Sequence, residues 1–128
     1  ILTDLDFGKF YENHVKNNRI FTISGYNRKH KVDYGVLHTD DAGVLNGFEE
    51  KPELDYTVSM GIYAASKEIV QYIPEDTYYG FDSLMMQLIG MQKKVTVDKF
   101  DGYWLDIGRP EDYQTATERF EEEKEKFL

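Results

Sequence analysis

The chain reads as an α/β protein, a mixed sheet flanked by helices, and three observations lead there. Short β-branched and aromatic runs alternate with stretches of helical period, one pair of strands is joined by an Asp/Gly-rich turn, and one run is apolar at nearly every position. With 128 residues, 41% hydrophobic and 15% aromatic, it has the size of a single domain and is too apolar for a disordered segment.

Phe7, Phe10, Tyr11, His14 and Val15 recur at three- and four-residue spacings and predict a helix from Phe7 to Asn18 capped by Asp6. Arg19 to Tyr26 predicts a strand, and Asn27 to Lys31 a polar loop. Val32 to His38 and Val44 to Glu49 flank Thr39-Asp40-Asp41-Ala42-Gly43 as a hairpin. Pro52 lacks a ladder donor and stops the second strand, leaving Glu53 to Tyr56 as loop. Val58 to Ala65 is the nearly all-apolar run, which predicts a central strand buried on both faces. Ser66 is placed to cap a short helix ending before Pro74. Asp82 is placed to cap a longer one through Lys94, with Leu84, Met85, Leu88 and Ile89 on its inner face. Val95 to Phe100 and Tyr103 to Ile107 predict short strands. Pro110 opens a last helix carrying Tyr113, Ala116, Phe120 and Phe127 along one side. Ile1 to Asp4 reads as the exit from a strand, and the absence of an initiating methionine suggests a chain that continues upstream.

Fifteen Lys and Arg against 24 Asp and Glu give a net charge of −9, which disfavours a nucleic-acid backbone as partner. No apolar stretch approaches the roughly 20 residues of a membrane span, and the N-terminus lacks a signal-peptide pattern. The absence of cysteine excludes disulfides and thiolate metal sites, so a reducing, cytoplasmic setting is the expectation. Lys16, Arg19, Arg28, Lys29 and Lys31 form a basic segment without a carboxylate. It reads either as a solvated edge or as a surface for a phosphorylated small molecule. His14, His30 and His38 have no ligand-like spacing, and there is no glycine-rich phosphate loop.

Two places carry candidate chemistry. Glu49-Glu50-Lys51-Pro52 sets two carboxylates and an ammonium at a strand end, where a carboxylate can accept from vicinal hydroxyls and a lysine can neutralise a phosphate. A solvated strand end has the same pattern. Asp106, in Trp104-Leu105-Asp106-Ile107-Gly108-Arg109-Pro110, is a lone acid among apolar neighbours. If buried it requires a partner or a metal, and otherwise it is a turn-forming or helix-capping acid.

Taken in order, Tyr34-Gly35-Val36, Phe48-Glu49-Glu50-Lys51-Pro52, Ser59-Met60-Gly61-Ile62-Tyr63 and Gly102-Tyr103-Trp104-Leu105-Asp106-Ile107-Gly108-Arg109-Pro110-Glu111-Asp112-Tyr113 cover nearly the whole chain. Together they resemble the second half of the sugar-1-phosphate nucleotidyltransferases, particularly the mannose-1-phosphate guanylyltransferase-like branch. The resemblance implies that residues 1–128 are a single fragment, the C-terminal, sugar-phosphate-binding half of a Rossmann-like nucleotide-diphospho-sugar transferase fold. It implies a reaction of hexose 1-phosphate with a nucleoside triphosphate, GTP or CTP, giving nucleotide-sugar and pyrophosphate with Mg²⁺. By the same resemblance Asp106 binds the metal, Lys51 contacts the sugar phosphate, Glu50 accepts from sugar hydroxyls and Gly35 offers its backbone amide.

Ser59 stands where many relatives carry a sugar-contacting asparagine, which leaves the sugar open. Gly61 reads as a packing residue. The family's triphosphate-binding loop, nucleobase pocket and second metal aspartate would all precede Ile1. Asp4 and Asp6 read as turn and cap residues, and the fragment alone is expected to be inactive. Oligomeric state is open, with a homodimer one outcome. A non-catalytic regulatory relative and an unrelated α/β binding module are the alternatives, and the presence of both Lys51 and Asp106 speaks against the former.

Overall fold

The structure, a computed structural model, describes residues 1–128. The chain forms two compact units, one of Ile1–Tyr26 with Ser59–Leu128 and one of Asn27–Val58. In chain order the elements are β1 (Leu2–Thr3), α1 (Phe7–Lys16), β2 (Phe21–Lys31), β3 (Gly35–Thr39), β4 (Leu45–Glu50) and β5 (Glu53–Ala65). A 3₁₀ turn (Lys67–Tyr72) follows, then α2 (Phe81–Gly90), β6 (Val95–Phe100), β7 (Trp104–Leu105), α3 (Pro110–Glu122) and α4 (Lys124–Phe127).

In the larger unit the sheet has the order β5-β2-β6, with β2 and β6 parallel from Phe21↔Val95 to Tyr26↔Phe100. The central strand is therefore β2, not Val58–Ala65 as the apolar run suggested. β5 lies at the edge, and its buried positions, Met60 and Ala64, are separated by exposed ones. A run of apolar residues does not by itself distinguish two covered faces from one.

Helices cover both faces of β2. On one side Phe21 joins Ile69, Leu84 and Leu88 in a buried cluster flanked by Ile20, Ile23, Tyr72, Tyr79, Met85 and Val95. The rings of Tyr63 and Phe81 stack at 4.4 Å beside it. On the other side Thr22 and Ser24 face α1 and β5. Thr22 meets His14, and Ser24 Oγ donates to Met60 Sδ at 3.0 Å. Asp6 caps α1 as expected, its Oδ1 accepting from the Lys9 amide at 3.0 Å.

Ser66 and Asp82 do not cap. The Ser66 hydroxyl donates to the Arg19 carbonyl at 2.6 Å, and α2 begins after Gly80 and ends at Gly90. Of the predicted inner stripe, Leu84 and Leu88 are buried, whereas Ile89 is exposed. The strand predicted over Tyr103–Ile107 shrinks to Trp104–Leu105, which pairs antiparallel with β1 through Leu2↔Leu105 and Thr3↔Trp104. On α3 and α4, Phe120 stacks on Phe127, whose ring meets Tyr103 edge-on at 5.2 Å.

In the smaller unit β3 and β4 form the predicted hairpin, in register from Gly35↔Glu50 to Thr39↔Leu45 with an irregularity at His38/Thr39. Its turn is held by Asp40, whose Oδ1 accepts from the amides of Ala42 and Val44, both at 2.9 Å, and by Gly43 at φ 81°. The expected loops at Asn27–Lys31 and Glu53–Tyr56 are strand instead, as extensions of β2 and β5. Their charged residues are exposed, so the missing apolar pattern reflects solvation rather than irregular backbone.

Candidate functional site

The Glu49–Pro52 segment leaves β4 and enters β5 through a bend at Lys51. Lys51 takes a positive φ of 41°, which an L-residue adopts at a cost, and Pro52 fixes the next φ while its carbonyl accepts from the Val32 amide at 2.9 Å. Consecutive strand residues point to opposite faces, so Glu49 and Glu50 do not act as a pair. Glu49 is engaged by His38, Nε2 to Oε2 at 2.8 Å. Glu50 and Lys51 are exposed and make no ion pair. Gly35 lies opposite Glu50 in the ladder, and a Cβ there would come within 2.9 Å of the Phe48 ring and 3.8 Å of Glu50 Oε2. The missing side chain is therefore what lets the Phe48 ring lie over residue 35, close to the Glu50 carboxylate.

In the larger unit Ser59 is exposed on β5. Its hydroxyl accepts from the Gly61 amide at 3.1 Å and donates to Tyr63 Oη at 3.4 Å. Gly61 has φ 76°, and a Cβ there would sit 3.2 Å from Ile1 Cδ1. Glycine is therefore set by backbone conformation as well as packing. Asp106 follows β7 and is exposed, contrary to the premise that its apolar neighbours bury it; its Oδ1 accepts from the Gly108 amide at 3.2 Å. That is the turn-forming geometry, and it leaves Oδ2 without a protein partner. The β1–β7 register sets Asp106 across from Ile1. Arg109 beside it forms a two-pronged bond with Asp112, at 2.7 and 3.1 Å, which raises its pKa and leaves Asp106 outside that pair.

No group of three or more His, Asp or Glu side chains is gathered for a metal. An exposed carboxylate with one uncommitted oxygen suits Mg²⁺, which takes one or two protein carboxylates and otherwise keeps water or substrate phosphate oxygens. A cleft of about 540 Å³ between α1 and β6, lined by residues such as Lys9, Phe10, Asn13 and Val97, contains none of the five residues singled out from the sequence.

Two features escaped sequence reasoning. His14 is buried, with Nδ1 at 2.8 Å from Thr22 Oγ1 and Nε2 at 3.1 Å from Ser66 Oγ. Because Ser66 spends its proton on the Arg19 carbonyl, it accepts from Nε2–H, and Nδ1 accepts from Thr22. Burial, then the Arg19 charge, lower the His14 pKa, with Asp98 opposing. Asp4 bonds Tyr103 and approaches Lys126, contacts so distant in sequence that no local pattern announces them.

The Nucleotidyl transferase family profile matches residues 1–123. The chain is 31% identical over 122 residues to a UTP--glucose-1-phosphate uridylyltransferase of Synechocystis sp., covering 90% of this chain and 31% of that protein. It is 28% identical to a mannose-1-phosphate guanyltransferase of Yarrowia lipolytica, covering 91% of this chain and 33% of the relative. Among solved structures, HddC from Yersinia pseudotuberculosis matches with a TM-score of 0.58 at 29% identity, over 92% of this chain and 51% of that one. The chain thus spans about half or less of these relatives. Its mixed sheet between helices is their nucleotide-diphospho-sugar transferase fold, and with the family match running through the Glu49–Pro52 and Trp104–Pro110 segments, the chain belongs to the nucleotidyl transferase family.

Proposed function

We propose that this chain is the sugar-phosphate-binding half of a cytoplasmic enzyme that transfers a nucleoside monophosphate from a nucleoside triphosphate to a hexose 1-phosphate. Pyrophosphate is the second product. The observation that carries the reading is the family match over residues 1–123, within which Lys51 and Asp106 both stand exposed at strand ends without ion-pair partners.

A phosphate oxygen of the sugar phosphate attacks the α-phosphorus in line, so a P–O bond forms there as the bond to the departing pyrophosphate breaks. Two anions must approach, and the protein contributes positioning and positive charge. In this reading Lys51 neutralises the sugar phosphate, Glu50 accepts from sugar hydroxyls, and the Gly35 amide contacts the sugar. Ser59 stands at the sugar-contacting position with its hydroxyl already committed to the Gly61 amide and Tyr63. Asp106 would hold Mg²⁺, which when bound supplies charge neutralisation at the phosphates. GTP or CTP is the proposed donor; the mannose-1-phosphate guanyltransferase relative supports the former. The isolated fragment is proposed to be inactive, and a homodimer is one possible state of the full-length protein.

The test is pyrophosphate release by the full-length protein over a panel of nucleoside triphosphates and hexose 1-phosphates with Mg²⁺. One substrate pair should turn over, and Asp106→Ala or Lys51→Ala should each cost on the order of a hundredfold. Silence of a folded protein across the panel would replace this reading with a non-catalytic relative.

A further inference from the structure

The β1–β7 ladder is only two residue pairs long, yet Asp106 leaves directly from its end. So short a pairing is marginal on its own, and a slip of one residue would turn every side chain of β7 to the other face. The ladder is reinforced at the end away from Asp106. Asp4 Oδ1 accepts from the Tyr103 amide at 2.7 Å, the Asp4 amide donates to the Tyr103 carbonyl at 3.3 Å, and Thr3 Oγ1 donates to that same carbonyl at 2.6 Å. Gly102 lets the Asp4 carboxylate come this close, since a Cβ there would lie 2.6 Å from Oδ1. The other oxygen of Asp4 faces Lys126 at 3.8 Å. Lys126 also lies 5.3 Å above the Tyr103 ring, against which Phe127 packs.

We infer that Asp4, steadied by Lys126 of the C-terminal helix α4, is a positioning residue that fixes the register of β7 and thereby the direction of the Asp106 carboxylate. The role rests on the transferase reading only for its consequence in turnover. Asp4 touches no reacting atom; it replaces the backbone acceptor that the short ladder lacks with a charged one, and a carboxylate-to-amide bond is stronger than a neutral one. Residues at the two extremes of the chain, Asp4 and Lys126, thus close on the strand that presents Asp106.

The test uses full-length protein labelled with ¹⁵N-glycine. The Gly108 amide donates to Asp106 Oδ1, so its resonance reports the orientation of that carboxylate without any need for activity. Asp4→Ala should shift the Gly108 resonance and lower kcat by about tenfold or more while the KM for sugar phosphate stays within about twofold, as expected for a misplaced group at the chemical step. Asp4→Asn, which keeps a neutral acceptor for the Tyr103 amide but loses the charge and the Lys126 contact, should restore both in part. Thr3→Val, nearly isosteric, should give an intermediate effect and carries the test if Asp4→Ala does not fold. Ile69→Val, in the remote core of the same unit, should leave Gly108 and kcat unchanged.

Wild-type Gly108 and kcat in folded Asp4→Ala, or an equal change in Ile69→Val, would overturn the inference. If no substrate pair turns over in the wild type, the transferase reading fails, and the Gly108 resonance still decides whether Asp4 positions Asp106.

Discussion

Replacing His14 with leucine should loosen the larger unit by about 2–4 kcal/mol, a figure built from its two hydrogen bonds. His14 is 2% exposed and Thr22 0%, so removal of Nδ1 leaves the Thr22 hydroxyl buried without its acceptor, at about 1–3 kcal/mol. Loss of the bond to Ser66 adds about 1 kcal/mol, because Ser66 keeps its bond to the Arg19 carbonyl. His14→Asn places an oxygen near Nδ1, retains Thr22 as donor and should lose only about 1 kcal/mol.

The folded pKa of His14 lies below the usual histidine value of about 6.5, so the unfolded chain binds the proton more readily. Stability from this group is therefore complete above about pH 6.5 and declines as pH falls from there through the folded pKa, by at most about 1.4 kcal/mol per pH unit for one proton. The facing charges are Arg19 and Asp98, paired at 2.7 Å, and they partly offset one another at His14. Hydrogen-exchange protection of the Thr22 and Ile23 amides in the intact protein, compared between about pH 7.5 and pH 5.5 around that histidine midpoint, measures both effects. Equal protection in wild type and His14→Leu, or parallel pH profiles, would refute the reasoning.

Gly61→Ala should destabilise by about 1–2 kcal/mol, because φ 76° is costly for any side chain and the new methyl would press on Ile1; thermal unfolding checks it. Lys51→Gly should do the opposite to stability. Relief of the positive φ raises it by up to about 1 kcal/mol, reduced by the extra freedom of glycine in the unfolded chain, while the proposed phosphate contact is lost. Thermal unfolding beside the KM for sugar phosphate separates the two effects, and a destabilised Lys51→Gly with unchanged KM would remove Lys51 from the proposed site.

The helices and the hairpin were legible because their signals are local. Asp6 caps α1 through an amide three residues on, and Asp40 closes its turn within five residues. Strand order was not legible. The apolar run from Val58 to Ala65 suggested a strand covered on both faces, but that place belongs to β2, whose Thr22 and Ser24 are fully buried because His14 and Met60 meet them from α1 and β5. Polar residues inside a central strand lower its apparent hydrophobicity, and the partners that make them acceptable lie outside any local window. The same blindness hid the extensions of β2 and β5, whose charged side chains face water.

Asp106 stands between half-buried Leu105 and Ile107 without being buried itself. Apolar neighbours suggested a buried carboxylate in need of a metal or a cation, but the carboxylate is exposed and one of its oxygens is satisfied by Gly108. The desolvation cost that would have demanded a partner is therefore absent. What supports a ligand role instead is the second oxygen, left open to solvent, at the end of a ladder whose register is set by side chains of Thr3 and Asp4 rather than by its own length. The same side chains that hold a ladder of only two pairs together would, in the proposed ligand role, also fix the direction of the Asp106 carboxylate.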